Sequence, residues 1–159
     1  MFAAGIAFAI RSGNGPRDVY RTIGELAGDL SIEPALQEAI TGAAESPPAE
    51  YFHQQGWVLI AFRNALWQLL HAPSMEEGVV DTIMRGGDTD TNAAICGALL
   101  GAVHGQDAVP AQWVDALLTC RPEAGRAGVH QPRPEVFWPV DAMELAARLV
   151  DAGMPPAIS

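Results

Sequence analysis

The stretch from Asn92 to His104 constrains the fold more than any other. Almost all of it is apolar or glycine, and Ala93, Gly97, Gly101 and Gly105 recur every four residues. Residues four apart lie one above another on a helix, so this spacing predicts a helix with one nearly side-chain-free ridge. Glycine inside a helix costs about 1 kcal/mol relative to alanine. Accepting that cost repeatedly predicts close approach of another backbone along the ridge. Such a helix has to be central, with other elements packed round it. It is not a membrane span, because the stretch falls well short of the ~20 residues a bilayer requires.

The flanking sequence is helical in period throughout. Phe2 to Ser12 is apolar without alternation, which predicts a buried helix. Pro16 suits a first helical turn, and Val19, Ile23, Leu26 and Leu30 then follow at spacings of four, three and four. Pro34 opens a helix carrying Leu36 and Ile40, and Gly56 to Leu70 forms a long one that Pro73 stops. Ser74-Met75-Glu76-Glu77 matches a capping box, with the Ser74 hydroxyl at the N-cap and Glu77 reaching back. That helix should end at Gly86-Gly87. Further helices are expected from Val109-Pro110 to Cys120 and from Val140 to Val150. No pair of alternating segments joined by a hairpin turn occurs. The fold class read from these patterns is all-α, with roughly six or seven helices in one domain over residues 1–159.

Composition excludes several function classes. The chain has 159 residues, 49% hydrophobic and 18% charged, too apolar for a disordered tail. Nine arginines and no lysine stand against 19 acidic residues, a net charge of −10. That balance speaks against nucleic-acid binding and against an anionic membrane surface. The two cysteines, Cys96 and Cys120, sit in apolar sequence and read as small buried hydrophobes. No basic residue precedes Phe2 to Ile10 and no small-residue cleavage site follows, so a signal peptide is not indicated and a cytoplasmic location is expected. The immediate start in core-like sequence predicts a chain that begins mid-domain, with exposed apolar surface and a tendency to self-associate.

Chemistry concentrates in Gly86-Gly87-Asp88-Thr89-Asp90-Thr91-Asn92. Two glycines allow a sharp turn after a helix, two carboxylates follow two residues apart, and a new helix starts at once. Asp88, Asp90 and the Thr91 hydroxyl form an all-oxygen set suited to Mg²⁺, Mn²⁺ or Ca²⁺ and not to Zn²⁺. The same residues also suit a plain N-cap, which aspartate supplies well, and the two readings stand side by side. An EF-hand loop counted from Asp88 puts Ala93 where glycine is needed and Leu99 where the bidentate glutamate belongs, so it fails. A phosphotransferase Asp-x-Asp would follow a strand, whereas Thr82 to Arg85 belongs to a helix. A P-loop needs lysine, and there is none. The histidines, His53, His71, His104 and His130, show no metal-ligand spacing.

The run from Gly86 to Asn92, continued by Ala93-Ala94-Ile95 and Gly97-Ala98-Leu99-Leu100-Gly101-Ala102, resembles the C-terminal signature of the ADP-ribosylglycohydrolases. Gly56-Trp57-Val58, the Ser74 to Glu77 segment and Val109-Pro110-Ala111-Gln112-Trp113 agree with that resemblance, which is strongest over about residues 50–120. It implies an orthogonal multi-helix fold with a binuclear Mg²⁺ or Mn²⁺ centre, and hydrolysis of the bond between ADP-ribose and a modified side chain. The substrate would be an ADP-ribosylated protein or a small ADP-ribose derivative. Asp88, Asp90 and Thr91 match the family's C-terminal metal ligands. Gln55, Gly56 and Trp57 match a segment lining the ADP-ribose cleft. Trp57 either stacks on ribose or base, or is a core tryptophan at a helix start. The family's N-terminal Thr/Ser-Asp-Asp motif does not occur in this sequence, so the chain resembles the C-terminal half of such an enzyme and no catalytic residue is assigned. A non-catalytic ADP-ribose-binding or crystallin-like module is the alternative.

Overall fold

Proline, glycine and one serine set the helix boundaries. α1 (Phe2–Ser12) is closed by Gly13, whose φ of 65° is left-handed. Pro16 begins α2 (Pro16–Asp29) and Pro34 begins α3 (Pro34–Gly42), where a missing N–H costs nothing. α4 runs Val58–His71. The Ser74 hydroxyl accepts from the Glu77 N–H at 3.2 Å and so caps α5 (Met75–Met84); this is the expected serine half of a capping box. α6 covers Thr89–His104, three residues earlier than its apolar run. α7 (Ala111–Leu118) and α8 (Ala142–Gly153) follow, with 3-10 turns at 106–108, 135–137 and 139–141. The computed structural model describes residues 1–153. Among them there are eight α-helices and no strand, so the fold is all-α, with one helix for each segment that reads as helical in the sequence and a total just above the expected six or seven.

Residues 1–109 form one compact unit and the chain from Pro110 onward a second. The core of the first unit lies where α4, α5 and α6 pack together. α4 packs on α6, and Ala65, Leu66 and Leu69 of α4 and Cys96, Leu99 and Leu100 of α6 are all at 2% exposure or less. Burying each leucine stabilises the fold by roughly 1.5–3 kcal/mol. α2 contributes Val19, Ile23 and Ala27. The predicted stripe is therefore rotated: Leu26 is half-buried, and Leu30, past the helix end, is 65% exposed.

Two expectations need correction. The glycine ridge of α6 does not meet a backbone. A side chain at Gly97 would touch Val79 at 3.6 Å and one at Gly101 would touch Met75 at 3.7 Å, ordinary contact distances, and Gly105 faces open space. Close packing falls instead on Gly78 of α5, where a Cβ would lie 2.6 Å from Leu100, and on Gly5 of α1, 2.6 Å from Ile23. α1 is not a buried helix either. Gly5 and Ala9 alone are buried in it, and Ile10 is exposed, because α2 and α6 cover it from one side. Its start, with Leu36, Val58, Phe62 and Ile95, borders an apolar groove, which agrees with the expected exposed apolar surface.

In the second unit no described residue is fully buried. Its connection is held by Arg121, whose guanidinium donates to Leu118 O at 2.9 Å and lies 5.9 Å from the Trp138 ring centre. The Trp138 indole donates to Arg133 O at 2.9 Å. Cys120 is exposed there, against expectation, while Cys96 is fully buried. No helix among the described residues is long and apolar enough to cross a membrane.

Candidate functional site

The turn between α5 and α6 depends on its two glycines. Gly86 and Gly87 have φ of 80° and 71°, the left-handed region that glycine enters without penalty. Space forbids a side chain as well. A Cβ on Gly86 would strike the Phe52 ring, and one on Gly87 would strike the Tyr51 carbonyl oxygen. The loop that begins at Tyr51 therefore lies directly on the diglycine turn. Gln55, Gly56 and Trp57 follow three to six residues along the chain from these contacts, and the depression that Trp57 borders is lined by none of Asp88, Asp90 and Thr91.

Asp88 occupies the N-cap position of α6 but makes no side-chain capping bond, so the plain-cap reading fails for Asp88 and applies only to Asp90, whose carboxyl accepts from N–H groups of the first turn. Asp90 lies in the first helical turn. Its carboxyl is held below the usual range, first by a hydrogen bond with the Asp88 side chain and then by the N–H groups of Thr91 and of Asp90 itself. Asp90 and Thr91 are exposed, and Asp88 and Thr89 half-buried. Two carboxyl groups this close repel when both are ionised, and a shared proton or a cation relieves that repulsion. The donor chemistry fits one hard cation with coordination positions left open. It is not a closed cage: among the described residues no group of three or more His, Cys, Asp or Glu comes together.

A buried polar chain runs beneath the turn. The Tyr51 hydroxyl donates to Asn64 Oδ1 at 2.7 Å, and Asn64 Nδ2 donates to Thr82 Oγ1 at 2.9 Å. Thr82 in turn donates to Gly78 O at 2.8 Å. Arg85, the last residue before the glycines, donates from Nε to Asp81 Oδ2 at 2.6 Å and lies 5.7 Å from the Tyr51 ring centre. Gln68 also donates to Asp81. Burial pushes the Tyr51 hydroxyl up to about 12, against the opposing pull of Arg85. Asn92, one turn into α6, is 1% exposed, and its Nδ2 has no partner. Apart from Asn92, which closes the acidic run, none of these residues was singled out from sequence. The available signal was the pair Asn64 and Gln68 inside the otherwise apolar run of α4.

Trp57 is the N-cap residue of α4 and 49% exposed. It is not a core tryptophan. It borders an open depression of about 310 Å³, together with Glu38, Glu50, His53, Gln54 and Arg63. Gln55 and Gly56 are exposed in the loop just before it. Glu50 fixes the loop: Oε1 accepts from the Phe52 and His53 N–H groups at 2.6 and 3.3 Å, and Oε2 lies 3.2 Å from His53 Nδ1. The Phe52 N–H is the main reason its carboxyl stays below the usual range. The Arg63 guanidinium is occupied by Ser46 and by Gly42 O.

Among the described residues, an all-helical fold with a glycine-bounded acidic turn at the head of the helix that packs on α1, α4 and α5 is a distinctive class. The chain belongs to the ADP-ribosylglycohydrolase family, whose model matches residues 1–153. It is similar to a protein of Acanthamoeba polyphaga mimivirus named as an ADP-ribosyl glycohydrolase, at 34% identity over 61 residues. That match covers 36% of this chain and 18% of the viral protein, so the chain aligns with about a fifth of the relative's length. No solved structure matches.

Proposed function

We propose that this chain carries part of the active centre of a metal-dependent ADP-ribosyl glycohydrolase. The reaction would cleave the bond between the ribose anomeric carbon and a modified side chain, on an ADP-ribosylated protein or a small ADP-ribose derivative. The observation that carries this reading is the seating of Tyr51 and Phe52, at the head of the segment that leads to half-exposed Trp57, on the two glycines that lead into the Asp88–Asp90 pair. Family membership supports it.

Asp88, Asp90 and Thr91 would hold Mg²⁺ or Mn²⁺. When bound, the ion would supply a polarised water and electrostatic support for charge developing at the ribose. The chain's own residues do the rest of what can be assigned. The Asp90 carboxyl is held below its usual range, first by the hydrogen bond with the Asp88 side chain and then by the N–H groups of Thr91 and of Asp90 itself. The first amides of α6 point toward the same place and favour anionic groups there. Trp57, 49% exposed, offers a flat apolar face on which a ribose or a base can pack. No side chain of this sequence is assigned as general base.

Calorimetry with Mn²⁺, paired with an ADP-ribose release assay on an ADP-ribosylated arginine substrate, tests the reading. The full chain should bind Mn²⁺, and Asp90→Ala should abolish binding with helical circular dichroism unchanged. Release should require Mg²⁺ or Mn²⁺ and stop on chelation. Equal Mn²⁺ affinity in Asp90→Ala would refute this placement of the site.

A further inference from the structure

We infer that Tyr51 is the positioning residue of the acidic turn, gripping it through three separate parts of one residue. This inference rests on the functional reading above and concerns how that site is held in shape. The Tyr51 main-chain carbonyl oxygen occupies the space that a side chain at Gly87 would need. Its ring lies beside the Arg85 guanidinium, 5.7 Å from ring centre to Cζ, and Arg85 is the residue from which the chain enters the diglycine. Its hydroxyl donates to Asn64 Oδ1 at 2.7 Å, inside the α4–α5 interface. Tyr51 is 6% exposed, so its hydroxyl bond to Asn64 is shielded from water and does not compete with it.

The consequence is geometric. Gly86 and Gly87 have no side chains of their own to fix the direction in which Asp88 and Asp90 project. That direction is set from outside, by what the turn rests on. Asn64 is itself held by Thr82, and Thr82 by Gly78 O, so the grip on Tyr51 is referred to the backbone of α5. Arg85 is likewise pinned by Asp81 at 2.6 Å. Loop, α4 and α5 thus close on the turn from both sides. Immediately beyond Tyr51, Phe52 covers Gly86 and donates its N–H to Glu50 Oε1. The same residue therefore sets the cleft loop and the acidic turn relative to each other. Supporting residues of this kind typically change metal affinity 10–100-fold when removed.

The test compares Tyr51→Phe and Arg85→Lys with a control, Ile23→Val, which loosens the core at α2 far from the turn. Arg85→Lys keeps the charge near the site but loses the planar group that spans Asp81 and Tyr51. Two readouts are taken on the full chain: Mn²⁺ affinity by calorimetry, and hydrogen exchange of the amides from Gly87 to Asn92 without metal. Both variants should weaken Mn²⁺ binding about tenfold or more and speed exchange in the turn. Ile23→Val should lower the thermal midpoint while leaving affinity within about twofold and turn exchange unchanged. Tyr51→Phe with wild-type exchange in the turn would overturn the inference whatever the metal does. Tyr51→Phe with wild-type Mn²⁺ affinity, in a chain that binds Mn²⁺, would overturn it equally. A wild-type chain that binds no Mn²⁺ would instead defeat the functional reading, and the exchange result alone would then decide the role of Tyr51.

Discussion

Replacing Gly87 by alanine separates two costs that usually come together. Gly87 has φ of 71°, and Gly13, at the end of α1, has φ of 65°. An L-residue in that region costs roughly 1–2 kcal/mol at either position. Around Gly13 nothing lies within 4 Å of an added Cβ, so Gly13→Ala should cost that strain and no more. At Gly87 the added carbon runs into the Tyr51 carbonyl oxygen, which is main chain and cannot rotate away. The loop must move, and overpacking of this kind adds about 1–3 kcal/mol. Gly87→Ala should therefore destabilise by about 2–5 kcal/mol. The measurement is urea unfolding of both variants beside the wild type, read as the shift in midpoint at constant slope. Mn²⁺ calorimetry on Gly87→Ala should show lost affinity as well. Equal destabilisation by the two substitutions would refute the packing of Tyr51 on Gly87, and with it the account of how the site is assembled.

Three other outcomes are expected. Gly97→Ala should stabilise the chain by about 1 kcal/mol, because helix propensity improves and the new methyl meets Val79 at 3.6 Å; a fall in thermal midpoint would show that the ridge is needed bare. Cys120 should react with a thiol reagent in the folded chain at pH 8 while Cys96, buried and pushed up to about 11, reacts only on unfolding, as mass spectrometry of the labelled chain would reveal. For Tyr51 the folded value, about 12, exceeds the ordinary one of 10. Its stabilising contribution is thus complete below pH 10 and is lost as pH rises toward 12. A thermal midpoint series from pH 8 to 12 should fall less steeply in Tyr51→Phe, and parallel curves would contradict this assignment.

The helices were legible because their signals are local. Pro16, Pro34 and Ser74 mark starts whose chemistry lies within one turn, and each stands where expected. The face a helix presents was less legible. Leu26 and Leu30 fit the period of α2 as well as Ala27 does, yet it is Ala27 that α2 buries, since close helix packing favours the smaller residue. The glycines of α6 showed the same limit: the pattern announced close packing but not on which helix, and Gly78 of α5 meets the tight contact. The acidic turn was readable because its residues are consecutive. Tyr51, Asn64, Thr82 and Arg85 were not, because polar residues scattered over three elements acquire meaning only when folding brings them within hydrogen-bond reach.

The support beneath the turn also has a history within each molecule. Tyr51 leaves the ribosome long before Gly87, with the whole of α4 and α5 between them, and the two can meet only after that hairpin has closed. Closing such a loop costs entropy before any contact rewards it. The acidic pair should thus acquire its final orientation among the last events of folding, so capacity to bind a divalent ion would report completed maturation and not mere helicity.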